Sequence, residues 1–171
     1  MSADVELIRS LGLAPHPEGG WYRETWRTPE RVVAERGAGS VARSAATGIL
    51  FFLEAGARSR FHRIDAEELW CWQRGGVVAV HVLEAEGRLR TLRVGPPEVP
   101  GTTLHAAVPA GAWFAAMPED AGALVTCIVA PGFEFSAFEL AGRETLTAQW
   151  PAHAALIAEF TPPVAPGEPL A

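Results

Sequence analysis

Apolar and polar residues alternate along most of this chain in short runs, the period-2 pattern of β-strands with one buried face. The segment W-Y-R-E-T-W-R at 21–27 is the first such run, and most later runs are bounded by Gly, Pro, Asp or Glu. Runs at intervals of roughly ten residues, with no helical pattern between them, predict an all-β antiparallel sandwich or barrel. The later predicted strands are 49–53, 59–64, 69–73, 77–83, 88–94, 104–108, 113–117 and 124–130.

Helical periodicity is confined to the two ends of the chain. Val5, Ile8 and Leu11 are spaced as on one helix face and precede Gly12, which predicts a short N-terminal helix. Residues 152–160 predict a C-terminal helix, and the weakly patterned segment 30–46 predicts a loop. Because no linker divides the chain, we expect one domain over 1–161 and a disordered Pro-rich tail over 162–171.

Composition excludes several classes of function. The chain has 171 residues, with 14 Lys and Arg against 20 Asp and Glu, so its formal charge is -6 and no broad basic surface can neutralise nucleic acid. No apolar run reaches the roughly 20 residues that cross a bilayer, and the first residues lack the pattern of a signal peptide. We therefore expect a cytoplasmic protein with no nucleic-acid or membrane partner, and Cys71 and Cys127 as reduced thiols.

The most informative segment lies between Gly56 and Gly75, where His62, Ile64 and Glu68 are spaced H-x-I-x-x-x-E. This spacing resembles the first motif of the cupin superfamily, in which these positions are His, His and Glu. Isoleucine offers no lone pair to a metal, and Phe114 stands where the second cupin motif would supply another His. The resemblance therefore implies a cupin pocket that works without a metal or another cofactor.

Four motifs in order resemble one group within the cupins. They are P-H-P-E-G-G-W-Y-R-E-T at 15–25, S-R-F-H-R-I-D-A-E-E-L-W at 59–70, V-P-A-G-A-W at 108–113 and A-P-G-F-E-F-S-A-F-E-L at 130–140. The resemblance implies a double-stranded β-helix, the cupin jelly roll, paired as a homodimer and similar in architecture to dTDP-keto-deoxyhexose epimerases. Relatives usually have a His where this chain has Cys71, so the role of that His is not carried over.

Strand alternation selects the side chains that we expect in the pocket. If His62 faces the interior, Arg60 shares its face, and the same alternation from Glu68 selects Trp70 and Trp72. His62 is the candidate base, Glu68 its orienting partner or the acid, and Arg60 the group that stabilises an enolate. The two tryptophans would form an apolar platform for a small molecule.

Further candidates for substrate binding are Arg23, Glu134 and Trp113, each of which has a structural alternative as a surface ion pair or a core residue. A metal, if bound, would need His62 and Glu68 with help from His81 or His105. Three functions remain open at this point. They are a metal-independent isomerase or epimerase of a carbonyl-bearing, sugar-like metabolite, a ligand-binding module without turnover, and a metal-dependent dioxygenase or hydrolase.

Overall fold

Two antiparallel β-sheets face each other in the computed structural model, which describes residues 3–36 and 39–162. The strands follow the periodicity of the sequence closely from residue 47 onward. Their bounds are β1 (Ala14–Pro15), β2 (Trp21–Arg27), β3 (Arg31–Arg36), β4 (Gly39–Ser44), β5 (Thr47–Leu53), β6 (Ser59–Arg63), β7 (Glu67–Gly75), β8 (Val78–Leu83), β9 (Leu89–Val94), β10 (His105–Val108), β11 (Trp113–Pro118), β12 (Ala123–Ala130) and β13 (Glu139–Leu140).

The larger sheet has the strand order β1-β2-β5-β12-β7-β10, and the smaller has the order β13-β6-β11-β8-β9. Sequence neighbours are split between the two sheets, as in a jelly roll, so that β5 and β6 or β6 and β7 face each other rather than pair. The inward side chains of both sheets form the main hydrophobic core, which includes Phe51, Trp70 and Phe114. The predicted all-β jelly-roll architecture is therefore confirmed.

Short helices cover the outer faces of the sheets. Helix α1 (Ala3–Leu11) packs Leu7, Ile8 and Leu11 against the larger sheet, whereas Val5, which the helical spacing placed on the same face as Ile8 and Leu11, is 45% exposed. Helices α2 (Arg143–Gln149) and α3 (Ala154–Phe160) bury apolar side chains against the smaller sheet. The predicted helix at 152–160 corresponds to α3, whereas α2 was not predicted. None of the helices in the described part of the chain is long and apolar enough to span a membrane.

The prediction of a loop over 30–46 is wrong. Strands β3 and β4 form an antiparallel hairpin in which Arg31 is opposite Ser44 and Val33 is opposite Ala42. Val33 and Val41 are exposed, so the hairpin does not show the alternation of buried and solvated positions that reveals a strand in a sequence. The predicted tail lies outside the described residues apart from Pro162.

Candidate functional site

A cavity of about 160 Å³ lies between the two sheets and opens to the surface. Strands of both sheets contribute to it, and so do the turn before β2 and the segment between β12 and β13. Most of its lining is apolar or aromatic, and its ionisable groups lie at the floor and at the mouth. The acidic, basic and imidazole side chains of the lining are His16, Glu18, Glu24, Arg27, His62, Glu68 and Glu134.

Three of the candidate residues line the cavity. His62 from β6 and Glu68 from β7 are both buried in its floor, and Glu134 lies at its mouth. Ile64 also lines the cavity, at the position where the cupin motif has its second histidine. The motif therefore contributes two ionisable side chains to a cavity, and the roles assigned to them stay predictions.

Arg60 does not line the cavity, and a β-bulge in β6 explains why. Opposite β11, His62 pairs with Phe114 and Ser59 pairs with Ala116, so two residues of β6 lie opposite the single residue between those partners. A bulge of this kind interrupts the period of two. Ser59 therefore shares the inward face with His62, and the expected position of Arg60 beside His62 is corrected.

The predicted aromatic platform is also corrected. Trp70 and Trp72 do belong to the inward face of β7, but both pack in the core beyond the cavity, where Trp70 meets Phe51 and Phe114 edge-on. Trp113 lies on the outer side of the smaller sheet beneath the guanidinium of Arg63, at 4.5 Å from its ring centre.

Arg23 and the two candidate supplementary ligands also lie away from the cavity. Arg23 is exposed on β2, outside the cavity lining. Nδ1 of His81 lies 3.0 Å from Oγ1 of Thr91 on the neighbouring strand, and the His81 ring packs against Phe160 of α3. His105 is exposed opposite Cys71 in the register of β10 and β7.

The turn before β2 supplies two site residues that the sequence reasoning missed. His16 and Glu18 belong to the P-H-P-E-G-G segment, which enters the cavity floor because Gly19 and Gly20 adopt positive φ angles of 108° and 75°. A Cβ on Gly19 would lie 2.2 Å from the carbonyl oxygen of Arg58, so only glycine permits this approach. The paired glycines after a His-x-Glu sequence were the available signal.

Glu18 lies at the centre of a buried hydrogen-bond network. Its Oε1 accepts a hydrogen bond from the Ser59 hydroxyl at 2.8 Å. Its Oε2 is 3.2 Å from Nε2 of His62 and 3.3 Å from Nδ1 of His16. Nδ1 of His62 donates to the carbonyl oxygen of Arg60 at 2.7 Å. Glu18 and this carbonyl, rather than Glu68, therefore orient the His62 ring.

This geometry requires a proton between Glu18 and the two imidazoles. Nδ1 of His62 carries the proton that it donates to the Arg60 carbonyl oxygen, so in a neutral His62 the lone pair of Nε2 points toward Glu18. Nδ1 of His16 likewise faces a donor, the Glu18 backbone N–H, at 3.3 Å. Burial lowers the pKa of His62 to about 3 and that of His16 to about 4. Burial and the nearby Glu68 carboxyl raise the pKa of Glu18 well above its ordinary value. At neutral pH the shared proton therefore resides on Glu18.

Glu68 is the second buried carboxyl of the cavity floor. Burial raises its pKa to about 7, against the opposing effects of the Cys127 thiol and the Trp70 indole beside it. The indole N–H of Trp70 makes no hydrogen bond of normal geometry within the described residues, so its contact with Glu68 is a weak one. Glu68 consequently changes its protonation near neutral pH, the range in which a general acid or base is most effective.

The mouth of the cavity is formed by a cluster of charged side chains and a cluster of aromatic side chains. Arg27 holds Glu24 through two parallel hydrogen bonds of 2.9 Å and also contacts Glu134 at 2.9 Å. Beside this cluster lie three phenylalanines from the segment after β12. They are Phe133, Phe135 and Phe138, with ring centres 4.9–6.3 Å apart.

The donor set does not fit the metal centre that cupins commonly carry. Ile64 and Phe114 occupy two of the four ligand positions, and the Phe114 ring lies 4.1 Å from the His62 ring, centre to centre. Across residues 3–36 and 39–162, no group of three His, Cys, Asp or Glu side chains is arranged to hold a metal ion. Glu68 and His62 are the surviving pair, and His81 is directed away from them.

The chain belongs to the cupin superfamily: the family model Cupin_5, described as cupin superfamily (DUF985), matches residues 5–141. Within that class it is similar to the uncharacterized protein YML079W of Saccharomyces cerevisiae, with 30% identity over 143 residues. The alignment spans 76% of this chain and 71% of the yeast protein.

Solved structures agree with this assignment. Protein SO0799 from Shewanella oneidensis matches with a TM-score of 0.83 and 33% identity, over 96% of this chain and 100% of that one. A hypothetical protein from Leishmania major matches with a TM-score of 0.83 and 29% identity, over 94% and 98%. A variant of oxalate decarboxylase from Bacillus subtilis matches with a TM-score of 0.55 and 15% identity over 86% of this chain and 37% of that one, which shows the shared fold alone.

Proposed function

We propose that this protein is a metal-independent isomerase or epimerase that moves a proton within a small carbonyl-bearing molecule. The observation that carries the proposal is the pair of buried carboxyls in the cavity floor, Glu18 and Glu68, whose pKa values are both raised. Two titratable groups in one cavity, one protonated at neutral pH and the other partly ionised, are the minimum equipment for acid–base catalysis.

The two carboxyls suit opposite roles in the reaction. The carboxylate form of Glu68 takes a proton from the carbon next to the substrate carbonyl, and the electron pair of that C–H bond moves toward the carbonyl oxygen. The oxygen takes up the proton that Glu18 shares with His62. After the planar enol has turned over in the cavity, Glu68 delivers its proton to the other face of the carbon and the enol O–H returns its proton to Glu18, which completes an epimerisation. In an α-hydroxy carbonyl compound, Glu68 can instead deliver its proton to the neighbouring carbon while the other hydroxyl gives its proton to Glu18, which completes an isomerisation. His62, whose pKa is lowered to about 3, stays neutral and holds the Glu18 carboxyl in place by accepting its hydrogen bond.

The size and lining of the cavity limit the substrate. A cavity of about 150 Å³ accepts a molecule such as benzene, so a six-membered ring or a chain of similar bulk fits the 160 Å³ found here. Because the lining is mostly apolar, a substrate with an apolar body is favoured over a heavily hydroxylated sugar.

Hydrogen exchange into candidate substrates tests this function. Cyclohexanone, phenylacetaldehyde and phenylacetone would be incubated with the protein in deuterated water, and loss of the proton signal next to the carbonyl followed by NMR. We expect exchange with at least one of them, reduced about a hundredfold or more in Glu68→Gln. Glu139→Gln, which alters an exposed ion pair with Arg63, is the control and should exchange as the wild type does.

Three results would count against the proposal. Exchange that is equally fast in Glu68→Gln and the wild type would remove Glu68 as the base. Undiminished exchange in His62→Ala would remove His62 from the mechanism. Ligand binding without exchange in any carbonyl compound of the panel would favour a ligand-binding module without turnover.

A ligand-binding module without turnover is the second candidate function. The observation that favours it is that Glu18 is already hydrogen-bonded to Ser59 and His62, and His62 also to the Arg60 carbonyl oxygen, which leaves few polar atoms for a substrate. Such a protein would bind the compounds of the panel with affinities that do not change between Glu68→Gln and the wild type at pH 5.

We also propose that the protein assembles as a homodimer through the side of β2. Beyond Tyr22 this strand has no partner on its outer edge among the described residues, and Trp26 of this strand is 51% exposed. An edge strand with apolar side chains is suited to pairing across a two-fold axis. Light scattering should give the mass of a dimer for the wild type and of a monomer for Trp26→Lys; a monomeric wild type would contradict this assembly.

A further inference from the structure

The only guanidinium that lines the cavity in the described part of the chain is already occupied. Nε and Nη2 of Arg27 donate to the two carboxylate oxygens of Glu24 at 2.9 Å each. Nη1 donates to Glu134 at 2.9 Å, and Nη2 also reaches the carbonyl oxygen of Phe133 at 3.1 Å. An incoming anion would therefore have to displace one of these partners before Arg27 could hold it.

The charges around the cavity add up to a negative potential. At the mouth, the single positive charge of Arg27 faces the two negative charges of Glu24 and Glu134. Deeper in, the two imidazoles are uncharged at neutral pH, and the remaining ionisable groups, Glu18 and Glu68, can only be neutral or negative. No free positive charge lines the path from the mouth to the floor within residues 3–36 and 39–162.

We infer that the cavity selects its ligand by charge: it accepts uncharged and cationic molecules and rejects carboxylates and phosphates, with Glu24 and Glu134 as the residues that set this specificity. The inference rests on the proposed function in taking the same cavity as the substrate site. It narrows the substrate to a small carbonyl compound without an acidic group, or to an aminated one.

Physical reasons support both halves of the inference. A carboxylate at the floor would face Glu68 in a poorly hydrated site, where like charges repel strongly. An ammonium group would instead be attracted by Glu68 and by the faces of the three phenylalanines at the mouth, since aromatic rings favour cations at short range. Nucleotide sugars, which carry phosphates, are excluded on the same grounds.

Three probes of the same ring size separate charge from shape. Benzyl alcohol, benzylamine and benzoate each fit the measured cavity, and NMR titration of the protein at pH 7 gives their dissociation constants. We expect benzoate to bind at least about tenfold more weakly than benzyl alcohol, and benzylamine to bind at least as tightly as benzyl alcohol.

Removing the two carboxylates that pair with Arg27 should weaken the preference for uncharged over anionic probes. In the double variant Glu24→Gln with Glu134→Gln, the mouth changes from a net negative to a net positive charge, and the benzoate affinity should rise about tenfold or more toward that of benzyl alcohol. Glu119→Gln is the matched control, since it removes a carboxylate from an equivalent pair with Arg93 that does not line the cavity. If the double variant does not fold, the half-exposed Glu134→Gln alone should raise the benzoate affinity by a smaller factor.

The dissociation constants of the three probes test the charge selectivity of the cavity independently of catalysis. Equal binding of benzoate and benzyl alcohol by the wild type, weaker binding of benzylamine than of benzyl alcohol, or no binding of either uncharged or cationic probe would overturn it. An unchanged benzoate affinity in the charge variants would overturn the assignment to Glu24 and Glu134. If the charge preference holds but no carbonyl compound exchanges its proton, the proposed reaction fails and the inferred ligand class stands.

Discussion

The same strands build two unlike regions between the sheets, a filled core and a cavity. On β7, Glu68 lies in the cavity floor and Trp70, two residues further along, lies in the core. On β12, Val129 and Cys127 line the cavity, whereas Val125 belongs to the core alone. Alternation places all of these side chains inside, but the bulk of the opposing residues decides whether an inward position meets other side chains or a ligand.

The two regions also differ in what holds them together. The core relies on close contact between large apolar groups, for which Trp70 and Phe114 are the main examples. The cavity floor relies on buried polar groups that satisfy one another, which is tolerated only while the hydrogen-bond network is complete. Mutations should therefore act through contact in one region and through protonation in the other.

The largest expected effect is in the core. Trp70→Ala removes a side chain that is 1% exposed, and we expect a loss of about 3–5 kcal/mol in the free energy of unfolding, measured by urea denaturation. The matched change at the cavity mouth is Phe135→Ala, at a residue that is 50% exposed, which should cost less than about 1 kcal/mol. Equal losses would show that the aromatic mouth is as tightly packed as the core.

The second effect is a dependence of stability on pH at the cavity floor. The pKa of Glu68 is raised from an ordinary value of 4.5 to about 7 on folding. Between these two values the folded state binds more protons than the unfolded chain, so the contribution of Glu68 is fully present below about pH 4.5 and is lost as the pH rises through 7. His16 and His62, whose pKa values are lowered on folding, cause an opposite loss as the pH falls below 6.5.

Glu68→Gln isolates the first of these contributions. Between pH 5 and pH 8 we expect the wild type to lose roughly 3 kcal/mol relative to the variant, since the change in pKa corresponds to a free energy of that order. Urea denaturation of both proteins at several pH values measures the difference. Curves that remain parallel over the whole range would show that Glu68 ionises at its ordinary pKa.

The third prediction tests where the shared proton resides. Glu18→Gln replaces the carboxyl by an amide that keeps an acceptor for Ser59 and offers two N–H donors to the nitrogens of His16 and His62. We expect it to change stability by less than about 1 kcal/mol, whereas Glu18→Ala, which leaves partners unsatisfied, should cost roughly 2 kcal/mol. Equal destabilisation of the two variants would show that an amide cannot replace the Glu18 side chain. In that case Glu18 is a carboxylate paired with a charged imidazole, and the shared proton lies on a histidine.

Much of the fold was predictable because period-2 alternation and turn residues follow directly from local sequence. His62 and Glu68 were located by the spacing of a motif, and the position of Ile64 between them indicated an incomplete metal site. The hairpin at 31–44 was missed because an exposed two-stranded ribbon needs no apolar face. The contributions of His16 and Glu18 were missed because they depend on a contact between segments about 40 residues apart, which no local pattern encodes.

The misplacement of Arg60 has a different cause. A bulge changes the facing of every residue beyond it and leaves no certain mark in the sequence. Trp70 and Trp72 were predicted to face inward and do so, but alternation carries no information on how far the cavity extends along a strand.

The bulge in β6 and the turn at 15–20 are joined by a backbone hydrogen bond. The backbone N–H of Arg60, which the bulge turns away from β11, donates to the carbonyl oxygen of Glu18 at 2.8 Å. The same irregularity therefore anchors the turn and opens the space that its carboxyl enters. Deleting one residue of the bulge would restore regular pairing in β6 and straighten the strand, and it would also displace the Glu18 carboxyl from the cavity floor. The buried acid of this protein therefore depends on an irregularity in its backbone.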